Sequence, residues 1–134
     1  EITTSAKLSN SLQGKILIVE DNKANQLFLK VILKIFNLTD IDMANDGLEG
    51  IEKVKHCNYN LILMDENMPN MNGIEATKKI RELGVTTPIV AVTANALSGD
   101  RDRFLEAGMD DYISKPVDKD RLMVILEKYM GENR

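Results

Sequence analysis

Five short apolar runs, separated by stretches with helical spacing, limit the fold of this chain more than any other feature. The runs occupy residues 16–19, 41–44, 61–64, 89–92 and 112–113. Strands of near-continuous hydrophobicity are typical of parallel sheets covered on both faces, and helices that alternate with the strands supply that cover. We therefore predict an α/β fold in which a five-stranded parallel sheet is doubly wound with five helices. We expect the order 2-1-3-4-5, a common order of such sheets in which strands one and three are neighbours.

The first helical stretch has the clearest periodicity, which predicts the side of that helix that faces the sheet. Its apolar residues recur at i, i+3, i+4, i+7, i+8 and i+11, the positions of Ala24, Leu27, Phe28, Val31, Ile32 and Ile35. The last helical stretch repeats the pattern with Leu122, Ile125, Leu126 and Tyr129. Asn22 is expected to cap the first helix, and Asn37 to take the left-handed turn that ends it.

Length and charge restrict the kind of protein. The 134 residues suffice for one domain, which we place at 15–131 between a linker or disordered tail at 1–14 and a short tail at 132–134. The basic residues are scattered and the formal net charge is −4, so direct binding to nucleic acid is not expected. No apolar run approaches the length of a membrane span, so we expect no membrane contact by this domain. A chain that opens on Glu1 instead of Met suggests a fragment of a longer protein, and processing or trimming would give the same start.

A single cysteine and a single histidine exclude two further classes of site. Cys57 has no partner for an internal disulfide, which is typical of a reducing cytoplasm, and a Cys/His zinc site is ruled out. We expect Cys57 to be a small buried side chain. His56 follows the second helical stretch, far along the chain from the other polar candidates, and is expected on the surface.

The chemistry is expected at the carboxyl ends of the strands, where open parallel sheets bind ligands. Glu20 and Asp21 follow the first strand, Asp65 the third, Thr93 the fourth and Lys115 the fifth. Because three carboxylates at one edge repel each other, a hard divalent cation is the natural counter-charge, and Mg²⁺ is the expected one. Asp65, at the tip of the most buried strand, is the best-placed nucleophile, and its attack on phosphorus gives an aspartyl phosphate.

Four motifs at these strand ends resemble the receiver domain of response regulators, which has a flavodoxin-like, CheY-like fold. The motifs stand in the family's order and cover about residues 15–130. They are Ile18-Val19-Glu20-Asp21-Asn22, the loop 64–73 around Asp65, Ala91-Val92-Thr93-Ala94, and Ser114-Lys115-Pro116. The resemblance implies a phosphoacceptor module that takes a phosphoryl group from a partner phosphohistidine onto Asp65 and switches conformation.

The family's residue roles carry over by position. Asp21, Asp65 and the backbone carbonyl of Asn67 would bind Mg²⁺ directly, Glu20 would act through water, and Mn²⁺ would be able to replace Mg²⁺. Lys115 would pair with Asp65 and then with its phosphoryl group. Other roles follow in the same way. Thr93 would donate to a phosphoryl oxygen and move toward it, Tyr112 would be the switch aromatic, and the Lys115–Pro116 bond would be cis.

The resemblance also implies the partners. A histidine kinase or a histidine phosphotransfer domain would dock on Asn22, Asn25 and Gln26 of the first helix, near Pro116. The runs 20–26 and 93–96 are most similar to receivers fused to hybrid sensor histidine kinases. We therefore expect a cytoplasmic module, either free or as the cytoplasmic part of a membrane-bound kinase, that is a monomer or weak dimer. The alternative within the family is a stand-alone single-domain response regulator.

Three alternatives outside this function fit the residues less well. An aspartate-nucleophile phosphatase of the haloacid dehalogenase type needs a second Asp two positions after the nucleophile, where this chain has Asn67. A flavodoxin-like FMN binder needs a phosphate-cradling loop after the first strand, where Glu20 and Asp21 would repel the phosphate. A pseudo-receiver would lack site residues that this chain retains. We therefore expect no turnover enzyme, but a domain that catalyses its own phosphorylation and slow dephosphorylation.

Overall fold

The computed structural model describes residues 12–94 and 100–131 and confirms the predicted α/β fold. All strands are parallel, in the order β2-β1-β3-β4-β5. The elements, in chain order, are β1 (Ile16–Val19), α1 (Lys23–Ile35), β2 (Ile41–Ala44), α2 (Gly47–His56), β3 (Leu61–Asp65), α3 (Gly73–Glu82), β4 (Ile89–Thr93), α4 (Asp100–Ala107), β5 (Asp111–Ser114) and α5 (Lys119–Met130). Most of the predicted tails, and Asn95 and Ala96 of the run 93–96, lie outside the described residues.

The hydrophobic core consists of two layers on opposite faces of the sheet. Alternate residues of β1 and β3 point to each face, as strand geometry requires, and both strands are buried throughout. One layer packs the sheet against α1 and α5, and the other packs it against α2, α3 and α4. Leu12 is buried in the first layer at 3% exposure, so the packed chain begins inside the segment predicted as a linker.

The predicted inner face of α1 is wrong. The helix buries Gln26, Leu29, Ile32 and Leu33, so Ile32 alone of the six predicted residues is in the core. Both sides of this helix are apolar at helical spacing, and the periodicity therefore does not decide which side meets the sheet. The side predicted to be buried is on the surface, with exposures of 63% for Leu27, 46% for Phe28, 49% for Val31 and 54% for Ile35, and Ala24 is exposed as well.

The predicted ends and last helix agree better with the structure. Asn22 accepts a hydrogen bond from the backbone N–H of Asn25, which caps α1, and Asn37 has a left-handed φ of 65°. In α5 the residues Leu122, Ile125 and Leu126 are buried. Tyr129 is half-buried and donates from its hydroxyl to the carbonyl of Asp110.

Two predictions about the second helix have different outcomes. His56 is exposed at the end of α2, as expected. Cys57 is exposed as well, and its predicted burial is wrong, because the chain leaves the helix at this residue in extended conformation. Among the described residues, no helix is both long enough and apolar enough to span a membrane.

Candidate functional site

The strand register brings the predicted site residues to one edge of the sheet. Val19 pairs with Met64, so Glu20 and Asp65 follow neighbouring positions on β1 and β3. Thr93, the last residue of β4, pairs with Ser114, the last residue of β5. Lys115 therefore follows β5 beside the end of β4. The order of the strands therefore gathers residues that are up to 95 positions apart in the sequence, Glu20 and Lys115.

Three carboxylates form a compact cluster at this edge. Oxygens of Glu20, Asp21 and Asp65 all lie within 4.8 Å of one another. Glu20 is 1% exposed and Asp65 4% exposed, whereas Asp21 is open to solvent. Glu20 Oε2 accepts from the backbone N–H of Asn22 at 3.1 Å, but its buried Oε1 has no hydrogen-bond partner. An oxygen-only donor set, one of whose buried oxygens accepts no hydrogen bond, fits Mg²⁺.

Lys115 is the cation that faces this cluster. Its Nζ lies 3.0 Å from Oδ1 of Asp65 and 3.4 Å from Oε1 of Glu20. The predicted cis bond between Lys115 and Pro116 is present. One ammonium group faces three carboxylates here, so the site carries an excess of negative charge that a divalent cation would offset.

Burial and charge perturb the titration of this pair. Burial raises the pKa of Asp65 to about 6; the Glu20 and Asp21 charges add to the rise, whereas the hydrogen bond and charge of Lys115 oppose it. Burial lowers the pKa of Lys115, but the hydrogen bond and charge of Asp65 and the charge of Glu20 outweigh burial and raise it overall. A carboxylate that is costly to ionise without added positive charge is well suited to bind a cation and to act as a nucleophile beside it.

The loop after β3 holds the backbone of Asp65 in place. Asn67, the predicted carbonyl ligand, is exposed two residues after Asp65. The N–H of Gly73 donates to the carbonyl of Glu66 at 2.9 Å, and a Cβ on Gly73 would collide with the carbonyl of Asp65. Asn72 caps α3 in a reciprocal capping box with Glu75. A glycine is therefore required where this loop folds back on the strand end.

Thr93 is buried at the end of β4 and belongs to a contact that sequence reasoning missed. Its hydroxyl donates to Oε1 of Glu66 at 2.6 Å, and Nη1 of Arg103 on α4 lies 2.6 Å from the other oxygen, Oε2. Glu66 is only 7% exposed. A sequence signal exists, since an acidic residue beside the nucleophile at a buried strand end needs a partner, but spacing along the chain does not identify the partner helix.

Tyr112, the predicted switch aromatic, lies on the α4 side of the sheet. It is half-buried on β5, and its ring centroid is 6.1 Å from that of Phe104 on α4. Tyr112 and Thr93 therefore share the face covered by α4, two strand positions apart in register. The two residues to which the resemblance assigns a switching role thus lie on the same face of the sheet.

The predicted docking residues differ in accessibility. Asn22 and Pro116 are exposed and Asn25 is partly exposed. Gln26 is buried instead: its amide donates to the carbonyl of Glu20 and to Oδ1 of Asn45. Gln26 therefore supports the end of β1 from inside the protein and offers no accessible side chain to a partner, which corrects that part of the prediction.

Comparison with known proteins agrees with this site. The family model described as the response regulator receiver domain matches residues 16–127. The osmosensing histidine protein kinase SLN1 of Saccharomyces cerevisiae is 42% identical over 126 residues, which are 90% of this chain and 10% of that kinase. The chain thus spans a small part of such relatives, whereas it covers 93% of the two-component response regulator ORR41 of Oryza sativa, at 44% identity over 86% of this chain.

Two solved structures are similar in fold and in sequence. One is the receiver domain of a Pseudomonas aeruginosa sensor histidine kinase with a magnesium ion in its active-site cleft (39% identity, TM-score 0.78, covering 87% of this chain and 96% of that one). The other is a complex of the Saccharomyces cerevisiae phosphotransfer protein Ypd1 with the receiver domain of Ssk1 (30% identity, TM-score 0.83, covering 89% and 90%). With four motifs at one sheet edge and a matching family model, this chain belongs to the response regulator receiver domains of two-component systems.

Proposed function

We propose that Asp65 accepts a phosphoryl group from a phosphohistidine of a partner protein. The observation that carries this proposal is the arrangement around Asp65: two further carboxylates within 4.8 Å and the Lys115 ammonium at 3.0 Å. A nucleophilic carboxylate surrounded by metal-binding oxygens and a fixed cation suits phosphoryl transfer, in which catalysis is mainly positioning and neutralisation of charge.

The transfer step exchanges one bond to phosphorus for another. An oxygen of Asp65 forms a bond to phosphorus while the phosphorus–nitrogen bond to the partner imidazole breaks. The electron pair of that bond stays on the imidazole nitrogen, and the product is an aspartyl phosphate. Asp21, Asp65 and the Asn67 carbonyl are the proposed ligands of Mg²⁺, with Glu20 acting through water, and the bound ion would supply positive charge to the phosphoryl oxygens.

The residues of the chain have separate roles in this step. Lys115 holds Asp65 ionised and in position, and it then pairs with the phosphoryl group. Thr93 donates to a phosphoryl oxygen, and Tyr112 responds on the α4 face. Slow hydrolysis of the aspartyl phosphate by water resets the module, so we propose a switch and not a turnover enzyme.

The partner is proposed to dock on the exposed side of α1 and on Pro116. Leu27, Phe28 and Val31 lie on this side, each at least 46% exposed. A cavity of about 70 Å³ lies beside Phe28, lined in part by Asn25 and Pro116, and it also touches Lys115. An apolar surface beside a cavity that reaches Lys115, the partner of Asp65, suits a helical partner, which must bring its phosphohistidine to Asp65. The partner is either a histidine kinase or a histidine phosphotransfer domain.

The parent protein is proposed to be a hybrid sensor histidine kinase. The similarity to SLN1 and to other histidine kinases supports this proposal. The stand-alone response regulator remains the second candidate, because this chain covers nearly all of the rice relative.

The phosphorylation proposal is tested with a small acyl phosphate and Mg²⁺, read by intact-protein mass. We expect the gain of one phosphate that requires Mg²⁺ and is absent in Asp65→Asn. Asp102→Asn, which changes an exposed aspartate on α4, is the matched control and should be phosphorylated normally. Phosphate that persists in Asp65→Asn would contradict the proposal.

The docking proposal is tested with a phosphotransfer domain whose histidine carries labelled phosphate. Phe28→Asp is expected to slow transfer at low partner concentration and to leave labelling by the acyl phosphate unchanged, because only docking is altered. Leu48→Asp, which changes a 50% exposed leucine on α2, is the control. If Phe28→Asp and Leu48→Asp accept phosphate from the partner at the same rate, the docking surface lies elsewhere.

A further inference from the structure

Among the described residues, the proposed chemistry leaves one buried carboxylate, that of Glu66, without a role. Glu66 follows Asp65 directly and is 7% exposed. Its Oε1 accepts from the Thr93 hydroxyl at 2.6 Å, and its Oε2 lies 2.6 Å from Nη1 of Arg103. Hydrogen bonds to a carboxylate at such distances are charge-assisted and strong. Glu66 therefore ties a residue of the reaction site to helix α4.

Strand geometry explains why Glu66 meets Thr93 and Asp65 does not. Asp65 pairs with Val92, and the N–H of Glu66 donates to the carbonyl of Val92 at 3.2 Å, so Glu66 continues the register next to Thr93. Side chains of successive strand residues point to opposite faces. Asp65 therefore turns toward Lys115, whereas Glu66 turns toward the face that α4 covers.

We propose that Glu66 is a positioning residue that competes with the phosphoryl group on Asp65 for the Thr93 hydroxyl. This inference rests on the proposed function, because it requires a phosphoryl group at Asp65. A hydroxyl has one proton to donate. Thr93 therefore turns to a phosphoryl oxygen only by leaving Glu66, and the buried Oε1 then loses a donor at a cost in free energy.

Arg103 sets the size of that cost. Its pairing with Oε2 is independent of Thr93, so Glu66 keeps one strong partner after the hydroxyl leaves. The position of α4 and the state of Thr93 are thereby linked through one carboxylate. Glu66 opposes the phosphorylated conformation, and the contact with α4 determines how strongly it does so.

The competition is measured with beryllium fluoride, an unreactive mimic of a phosphoryl group on a carboxylate, in the presence of Mg²⁺. Glu66→Gln replaces the charged acceptor with a weaker neutral one, and we expect roughly five- to tenfold tighter binding of the mimic. Glu66→Asp keeps the charge but withdraws the carboxylate by about one C–C bond, about 1.5 Å, and is expected to bind more tightly too. Wild-type affinity in Glu66→Asp would show that charge alone acts, and would overturn the proposal.

Two further variants separate positioning from general effects. Glu106→Gln makes the same chemical change at an exposed position of α4 and should not alter affinity for the mimic. In a Thr93→Ala background the Glu66→Gln effect should disappear, because the contested hydroxyl is gone. If the tighter binding persists without that hydroxyl, Glu66 does not act through Thr93.

A spectroscopic readout is independent of the phosphoryl chemistry. The γ-methyl NMR signal of Thr93 in the unmodified protein should shift in Glu66→Gln and Glu66→Asp but not in Glu106→Gln. A wild-type chain that takes neither phosphate nor the mimic overturns the proposed function and the competition with it. If wild type takes up phosphate normally but both Glu66 variants bind the mimic with wild-type affinity, only the proposed role of Glu66 is overturned, and the proposed function stands.

Discussion

The two ends of the sheet differ in charge balance: charges are matched at the amino end, and negative charge is in excess at the carboxyl end. At the amino end, the half-buried Arg81 is matched by several partners: it donates to the carbonyls of Gly108, Val85 and Thr87 and pairs with Asp110 at 2.9 Å. At the carboxyl end, Lys115 faces three carboxylates, and Glu20 Oε1 has no hydrogen bond. Both edges are built from the same strands, so the difference lies in the residues that follow or precede them.

This contrast separates residues that stabilise the fold from residues that perform chemistry. A matched ion and its hydrogen bonds hold loops together, and their loss appears as lost stability. An excess of one charge costs stability in the free protein, but it prepares a site for a cation and a phosphoryl group. Variants at the amino end should therefore change mainly the free energy of unfolding, and variants at the carboxyl end mainly the phosphorylation rate.

The largest effect is expected at the carboxyl end, for Lys115→Met. The variant removes the cation that lies 3.0 Å from Asp65, so we expect the phosphorylation rate with acyl phosphate and Mg²⁺ to fall by roughly a hundred- to a thousandfold. The free energy of unfolding should change little, because removal of a partly desolvated ammonium group offsets part of the stability that is lost with its ion pairs. Lys119→Met, at an exposed lysine of α5, is the control for loss of a positive charge. A rate within about tenfold of wild type would remove Lys115 from the mechanism.

At the amino end, Arg81→Met should show the reverse pattern. The variant leaves the carbonyls of Val85, Thr87 and Gly108 without their donor and breaks the pair with Asp110. We expect a loss of about 2 kcal/mol in the free energy of unfolding, measured with urea, and a nearly unchanged phosphorylation rate for the folded protein. Lys79→Met changes an exposed residue of the same helix and should cost much less. A stable Arg81→Met protein that is slow to be phosphorylated would reverse the assignment of the two ends.

The carboxyl end of the sheet is predicted from the sequence better than the surfaces of the helices are. Strand ends are fixed by short apolar runs, so the positions of Asp65 and Thr93 follow once the order of the strands is known. Helix α1 is apolar on both sides, and its periodicity assigns Leu27 and Phe28 to the inner side although they lie on the outer one. The choice between two apolar sides depends on packing against the sheet, which is information that spacing along one helix does not contain.

The contact between Glu66 and Arg103 shows a second limit. The two residues are 37 positions apart and belong to different elements, a strand end and a helix. The sequence places each on its element but does not give the rotation of α4 that brings the guanidinium to the carboxylate. Pairs that close across two elements therefore require the structure, whereas residues at neighbouring strand ends do not.

The smallest of these effects is expected for the charge excess itself, in Asp65→Asn. In the folded protein burial raises the pKa of Asp65 from 3.8 to about 6, so ionisation of this carboxylate costs stability at neutral pH. In the presence of a chelator, the variant should be more stable than wild type near pH 7.5 by about 1 kcal/mol, less than the full free energy of the shift because water screens the site.

The pH dependence of that advantage distinguishes charge from packing. Because the folded pKa lies above the unfolded one, wild type binds a proton more readily when folded, and its penalty disappears as the pH falls from above about 6 to below about 4. Urea unfolding of the two proteins across this range should therefore converge at low pH. A constant difference at all pH values would mean that the amide introduced by Asp65→Asn packs better than the carboxyl group and that the carboxylate cluster carries no electrostatic cost. With Mg²⁺ in place of the chelator, the difference in the free energy of unfolding between the two proteins should shrink or change sign. The reason is that only wild type keeps the full set of acidic ligands.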